Sequence, residues 1–357
     1  MKDQKILVIN PGSTSTKVAV FDNEKQIFSQ NISLDKEEMK KFSHYLEEYS
    51  MRKKSIKDFL ESRNFDIRDL TAVIGRGAPF KPLEGGTYRI TDEMLDDIKN
   101  GRLQSPHISA LGAVISNEFS KELNIPSFIA DPVSVDEFHE FSRLSGMKEI
   151  PRKSLWHALN CKAIAREAAE SLGRKYEDLD LIVVHLGGGI TISAHQKGRA
   201  VDVNNGNSEG PFSPERTGTL PALELVEICY SGKYTKEEMI KKITKEGGLR
   251  SYLGTSDARE IEEKIIKNND KEYKLIYETM AYQISKEIGA YATVLKGSVD
   301  AIVITGGIAN SNMLVDWIKE RVSFISKVLV FPGEDELSAL AKAAFRVLTG
   351  QEKEKKY

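Results

Sequence analysis

The sequence holds two cysteines, Cys161 and Cys229, too few and too far apart for a disulfide framework or a thiolate metal site. That usage fits a reducing compartment. No long apolar run of membrane-spanning length occurs, and the opening Met1-Lys-Asp-Gln-Lys5 lacks the apolar core of a secretory leader, so a soluble, cytoplasmic chain without a membrane partner is expected. Excess charge of one sign is missing too. Lys plus Arg number 51 against 53 Asp plus Glu, a net charge of −2, and no basic stripe carries interleaved aromatics, which removes nucleic acid as an expected partner. No Gly-x4-Gly-Lys-Ser/Thr loop is present, which excludes an ordinary P-loop NTPase. His139-Glu140 is not followed by a histidine at 143, so there is no zinc-protease helix. Gly206-Asn-Ser208-Glu-Gly210 spells a hydrolase nucleophile elbow, but Pro211 and Pro214 block the helix that an elbow must lead into.

Glycine-rich turns between apolar runs are what the chain does have. Ile6-Leu-Val-Ile9 reads as a buried strand; Asn10-Pro-Gly12-Ser13-Thr-Ser15-Thr-Lys17 follows, and Val18–Phe21 begins a second strand. Such a turn offers N–H groups and hydroxyls to one small volume, which suits phosphate oxygens, with Lys17 at its edge. A plain β-hairpin with Ser and Thr capping the turn is the competing reading. The design recurs at Leu181-Ile-Val-Val-His185-Leu-Gly187-Gly188-Gly189-Ile190, where a third strand runs through Val203. Ala301-Ile-Val-Ile-Thr305-Gly306-Gly307 is a further strand entering glycines, followed by a helix over Ser311–Val322. Two similar hairpins half a chain apart predict a duplicated α/β fold of two domains with a cleft between the copies.

The intervening segments supply candidate side chains. Asp35–Arg63 reads as exposed, heavily charged helix. Leu70–Ile74 is a strand ending in Gly75-Arg76-Gly77, a setting that leaves the planar Arg76 fork a clear path to a carboxylate or phosphate, against the plainer reading of a surface arginine in a turn. Ser105-Pro106-His107 and Ser154-Leu-Trp-His157 each read as a helix start, placing both histidines in first turns where N–H groups attract anions; satisfied structural histidines are the competing reading. The strand Ser127–Ala130 leads to Asp131, suited either to Mg²⁺ and arginine or to capping the turn. Pro211-Phe-Ser-Pro-Glu-Arg216 is a constrained loop that would hold Arg216 rigidly. Asp257 with Glu260 opens a helix as a capping box or meets a ligand. A last strand, Lys327–Phe331, precedes Glu334-Asp335-Glu336 and a helix with Leu337, Leu340, Ala341, Ala344 and Leu348 on one face. Cys161 sits on an amphipathic helix and reads as packing.

In order, these motifs resemble the acetate and butyrate kinase (acetokinase) family, within the sugar kinase, heat-shock chaperone and actin superfamily, over essentially the whole chain. The likeness lies in Asn10-x-Gly12-Ser13-x-Ser15-x-Lys17, Arg76, His107, Asp131, His157, His185-Leu-Gly187-Gly188-Gly189, Glu209-Gly210 with Arg216-x-Gly218, Ser256-Asp257-x-Arg259, and Thr305-Gly306-Gly307-Ile308. Acetate kinases typically have His-Leu-Gly-Asn-Gly where this chain has Gly188, and Phe-His-Gly-Thr-Ser-His where it has Trp156-His157-Ala158-Leu159-Asn160. Their arginine segment ends His-Gly-Gly, here Arg76-Gly77-Ala78-Pro79. Glu209-Gly-Pro-Phe-Ser-Pro-Glu-Arg-Thr-Gly218 is similar to butyrate and branched-chain fatty acid kinases. Ala78 in place of a larger aliphatic is expected to leave room for extra methylenes.

The resemblance implies two α/β domains with mixed sheets flanked by helices: a substrate and phosphate domain over 1–150, joined by the C-terminal helix of 334–357, and a nucleotide domain over 151–333. It implies Mg²⁺ and ATP, reversible transfer of the γ-phosphoryl group to a short-chain carboxylate giving ADP and an acyl phosphate, and a homo-oligomer of at least two subunits. Arg76, Arg216, His157 and Asp131 would be catalytic, and Asn10, Ser13, Ser15, Lys17, His107, His185 and Gly187–Gly189 would meet substrate or phosphate. Asp257, Arg259, Gly306, Gly307 and Asn310 would hold the nucleotide, while Asn10, Asp131 and Glu336, chosen from the three acids at 334–336, would hold the metal. The rival readings are acetate specificity, an actin- or chaperone-like ATP switch without a carboxylate substrate, and a sugar kinase, for which Asp131 would be the base.

Overall fold

Continuous apolar runs belong to strands covered on both faces, and Ile6–Ile9 and Leu181–Val184 occupy interior strands of two separate sheets, every one of these side chains 0% exposed. The computed structural model describes residues 3–357. The chain divides into two units, one running up to Asp136 and including Ala158–Asn160 and Asp335–Tyr357, the other Glu137–His157 with Cys161–Glu334.

In the first unit β1 (Lys5–Pro11), β2 (Ser15–Asp22), β3 (Lys25–Ser33), β4 (Ala72–Arg76), β5 (Thr87–Arg89) and β6 (Ser127–Ala130) form a mixed sheet in the order β3-β2-β1-β4-β6-β5. The first three make an antiparallel meander; β4 runs parallel to β1, and β6 parallel to β4. β3 had no counterpart in the sequence reading because its side chains are mostly exposed and carry little apolar alternation.

The second unit repeats the plan. β7 (Asp180–Leu186), β8 (Ile190–Gln196) and β9 (Arg199–Val203) form an antiparallel meander, with β10 (Ala301–Gly306) parallel to β7 and β11 (Val328–Pro332) parallel to β10. Its order, β11-β10-β7-β8-β9, matches β6-β4-β1-β2-β3 of the first sheet, as a duplication requires.

Helices cover both sheets. The helix Glu336–Leu348 lays Leu340, Ala341 and Ala344 on β1 and β4. The helix Ala110–Leu123 crosses β4 where two glycines meet: a Cβ on Gly75 would run into the Gly112 carbonyl, and one on Gly112 would stand 2.5 Å from Arg76 O. This contact presses the helix onto the backbone of Arg76. In the second unit the long helix Lys271–Val294 buries Tyr277, Met280, Ile284 and Ile288 in one core with Ile182, Val184, Ile192 and Ile302. Each such side chain contributes about 1.5–3 kcal/mol by leaving water.

Residues 35–63 correct the expectation of exposed helix. The helix Tyr49–Ser62 buries Arg52, Ile56, Phe59 and Leu60, the last three against Leu111, Ile115 and Phe119. Its many Lys and Glu neighbours mask a narrow apolar stripe. Cys161 is fully buried, and desolvation pushes its thiol pKa up, consistent with packing. Among the described residues no helix is long and apolar enough to cross a membrane.

Candidate functional site

In the first unit, parallel pairing aligns Ile9 with Gly75 and Arg76 with Ala130, so Asn10, Arg76 and Asp131 stand at the carboxyl ends of adjacent strands. Ligands of open α/β sheets gather at such ends. Glu336, the first residue of its helix, accepts from Asn10 Nδ2 at 2.6 Å and from Arg76 Nη1 at 2.5 Å. Asp131 is 3% exposed, sits at φ +37°, and takes the Gly86 N–H on Oδ1 at 2.7 Å. A non-glycine residue held in that region is strained. Gly12 N–H closes the β1–β2 turn onto Ser15 O at 2.8 Å, leaving Ser13 exposed and Ser15 half-buried. Lys17, exposed, lies directly opposite Asn10 across the hairpin.

His107 is not in a helical turn. The helix begins at Ala110, because the Ser109 N–H donates to His107 Nδ1 at 3.2 Å and a tight turn from His107 O to Ala110 N precedes it. With Nδ1 accepting, the ring proton sits on Nε2. Desolvation first, then the positive charge of Arg76, pushes the His107 pKa below its usual value.

In the second unit, His185 is 1% exposed and its Nε2 lies 2.9 Å from Glu334 Oε1. Its ring stacks on His157 at 4.3 Å, and His157 Nδ1 lies 2.9 Å from Thr191 Oγ1. His157 is the residue just before the helix Ala158–Ser171, not a member of its first turn; Ser154 does not cap it. The β7–β8 turn closes by Gly187 N–H to Gly189 O at 3.2 Å.

Arg216 extends over this turn. A Cβ on Gly189 would collide with its guanidinium, so the glycine is what lets the arginine lie there. Among the described residues its guanidinium makes one hydrogen bond, to Gly206 O at 2.9 Å, leaving most of five N–H donors for an incoming anion. Burial lowers the Arg216 pKa, partly offset by Glu215. Ser213, missed in the sequence reading, ties the parts together: its hydroxyl donates to Gly188 O at 2.7 Å and accepts from Arg216 N at 3.1 Å. Its only sequence signal was a small hydroxyl residue before Pro214.

A cavity of about 450 Å³ opens beside the turn, lined by Gly187, Gly188, Pro214, Glu215, Ser256, Gly307, Ile308 and Glu334. Gly306 at φ +96° packs so closely on Leu186 that a Cβ would strike its backbone. Asn310 Nδ2 donates to Gly307 O at 2.9 Å. Asp257 and Arg259 are not brought into the cavity wall; they form a mutual ion pair at 2.9 Å, and Asp257 caps the helix Ala258–Asn268 through Arg259 N, without a capping box. The three consecutive acids divide their work: Glu334 meets His185, the Asp335 side chain caps through Ser338 N, and Glu336 holds Arg76 and Asn10.

The family model described as the acetokinase family matches residues 147–344. Among solved structures, the chain is similar to an acetate kinase from Porphyromonas gingivalis, with TM-score 0.79 and 20% identity over 97% of this chain and 100% of that one. A propionate kinase from Francisella tularensis aligns with TM-score 0.73 and 18% identity, covering 95% and 98%. A ROK family protein from Streptococcus pneumoniae in complex with sucrose aligns at 0.51 and 12%, covering 98% and 100%. Likeness at these identities is one of fold: two mixed sheets flanked by helices, the actin and sugar-kinase architecture.

Proposed function

The chain belongs to the acetokinase family, and from that premise we propose that it transfers the γ-phosphoryl group of ATP reversibly to a short-chain carboxylate, butyrate or a branched-chain acid, giving an acyl phosphate and ADP. The observation that carries this reading is Arg216, half-buried, positioned over a glycine turn, its guanidinium bonded among the described residues to the Gly206 carbonyl alone. A guanidinium with most of its N–H donors unused suits an anion that arrives and leaves.

The chemistry brings two anions together, so neutralisation and alignment dominate. The carboxylate is ionised at neutral pH and attacks in line without a general base. Arg76, braced by Glu336, would orient it, with His107 offering its Nε2–H. Arg216 would stabilise the equatorial oxygens, and His157, fixed through Thr191 and its stack on His185, would donate a hydrogen bond to them. Ser13, Ser15, Lys17 and Gly187–Gly189 would receive phosphate oxygens. The nucleotide would lie in the cavity beside Gly307 and Ser256, with Gly306, Asn310, Asp257 and Arg259 near its outer end.

Mg²⁺ arriving with the nucleotide would neutralise phosphate charge. Among the described residues no three His, Cys, Asp or Glu side chains form a cage, which suits an ion that keeps waters and phosphates as ligands. The hard oxygens of Asn10, Asp131 and Glu336, at adjacent strand ends and beside a strained Asp131 backbone, fit that outer role.

The preference for butyrate or a branched-chain acid is inferred from the resemblance of the loop Glu209–Gly218 to butyrate and branched-chain fatty acid kinases. Ala78 is 0% exposed, enclosed with Phe80 and Ile129, so its small side chain does not by itself open an acyl pocket. Self-association to at least a dimer is supported by the helix Ala222–Tyr230, which buries no residue and exposes Leu223 and Tyr230 by 79% and 87%. The reading is tested by ADP release from Mg-ATP. Release that requires butyrate or isobutyrate supports it; release indifferent to any acid points to a nucleotide switch, and release driven by a hexose to a sugar kinase.

A further inference from the structure

Arg52 lies wholly inside the first unit, 0% exposed, on the helix Tyr49–Ser62. Nε and Nη2 donate to Glu48 Oε2 at 2.9 and 2.6 Å. Nη1 donates to Gly12 O at 3.0 Å, Ser15 O at 3.2 Å and Thr16 Oγ1 at 2.9 Å. Every one of the three Nη1 acceptors belongs to the β1–β2 turn or the strand leaving it.

Stability is a weak reason for an arginine here. Taking a guanidinium and a carboxylate out of water is costly, and well-packed apolar residues commonly replace a buried ion pair without loss. What the guanidinium adds is direction. A trans peptide points its N–H opposite to its C=O. With Gly12 O drawn inward to Arg52, the Ser13 N–H of the same peptide faces outward, where Ser13 and Thr14 are exposed. Ser15 O is held inward by both Arg52 and Gly12 N–H, so the turn is fixed at its two ends.

We propose that Arg52 is a positioning residue for the phosphate-binding turn, aiming the Ser13 amide and the turn hydroxyls at the transferring phosphoryl group without touching it. The proposal rests on the carboxylate-kinase reading. The Thr16 hydroxyl is the part of the arrangement that is removable with least disturbance, since Thr→Val keeps the shape of the strand.

The test uses Arg52→Met, Arg52→Lys and Thr16→Val in the full chain, with steady-state kinetics on Mg-ATP and butyrate, amide hydrogen exchange over residues 10–17, and calorimetric titration with inorganic phosphate. In Arg52→Met, kcat is expected to fall about 10–100-fold with KM for butyrate changed less than about threefold, as for a lost transition-state donor. Arg52→Lys should recover part of that loss, and Thr16→Val should cost about threefold in kcat, a small fraction of a full donor loss. Exchange over the turn should quicken in each variant, and phosphate binding should weaken. Folded variants with a loosened turn but wild-type kcat and phosphate affinity would overturn the proposal. Should Arg52→Met not fold, Thr16→Val decides by the same criteria. If the wild-type chain phosphorylates no acid, the carboxylate-kinase reading falls; the role of Arg52 is then judged by phosphate binding, and unchanged affinity in Thr16→Val rejects it.

Discussion

Arg76 and Glu336 stand 260 positions apart in sequence and meet in a 2.5 Å ion pair at the strand ends of the first sheet. The same carboxylate oxygen accepts from Asn10, so one side chain sets the geometry of an amide and a guanidinium together. Removing its charge while keeping its shape tests that bracing. Glu336→Gln is expected to lower kcat/KM by about 10–100-fold, the scale seen when a residue that orients a ligand-binding group is lost. Steady-state kinetics check this, and an unchanged kcat/KM contradicts the bracing role.

Arg216→Ala should cut kcat by at least ~100-fold, as for a deleted oxyanion-type donor. Arg216→Lys should not restore it, because a point ammonium lacks the planar fork. Near-normal turnover in either variant removes Arg216 from the chemistry.

Gly189 has no side chain where the Arg216 guanidinium lies. Gly189→Ala must therefore displace Arg216, and kcat should fall about tenfold or more without loss of folding, the effect of a misplaced donor. Gly289, within the helix Lys271–Val294, is the contrast, since an added Cβ there meets nothing within 4 Å. Gly289→Ala should leave kcat alone and stabilise the chain by about 0.4–1 kcal/mol through lost unfolded-state freedom. Thermal denaturation alongside kinetics separates the two. Equal behaviour of the two variants contradicts the packing account of Gly189.

His195 sits fully buried between the Tyr176 hydroxyl, 2.6 Å from Nδ1, and the Ser193 hydroxyl, 2.8 Å from Nε2. Burial first, then the charges of Lys162 and Arg166, pushes its pKa well below the ordinary value. The unfolded chain then binds more protons than the folded one in acid. Stability from this source is complete above the unfolded pKa of about 6.5 and is lost as pH falls toward the folded value. The melting temperature should therefore drop on acidification below neutrality, and His195→Gln should flatten that dependence even if it lowers the melting temperature overall. An equally steep slope in the variant contradicts the assignment.

The sheet centres were legible because Ile6–Ile9, Leu181–Val184 and Ala301–Ile304 are apolar on both faces, and glycines mark the turns beyond the first two. The candidate side chains Asn10, Arg76 and Asp131 were legible as strand-end positions, since each follows an apolar strand at its carboxyl end. Arg52 was not, because its burial is set by a partner turn forty positions away, a contact that local charge content conceals. Which acid of 334–336 meets which partner was equally hidden, being decided by where the last helix starts and how its cap forms. His107 was misplaced for a local reason: its ring captures the Ser109 N–H and delays the helix to Ala110.

Carboxylate phosphorylation itself is tested most directly by incubating the chain with Mg-ATP and acetate, propionate, butyrate, isobutyrate or a hexose, and trapping acyl phosphate with hydroxylamine. Hydroxamate formed with butyrate or isobutyrate well above acetate is the expected result. A clear acetate preference would keep the mechanism and contradict the chain-length reading. No hydroxamate from any acid, with ATP bound, would contradict the proposed reaction altogether.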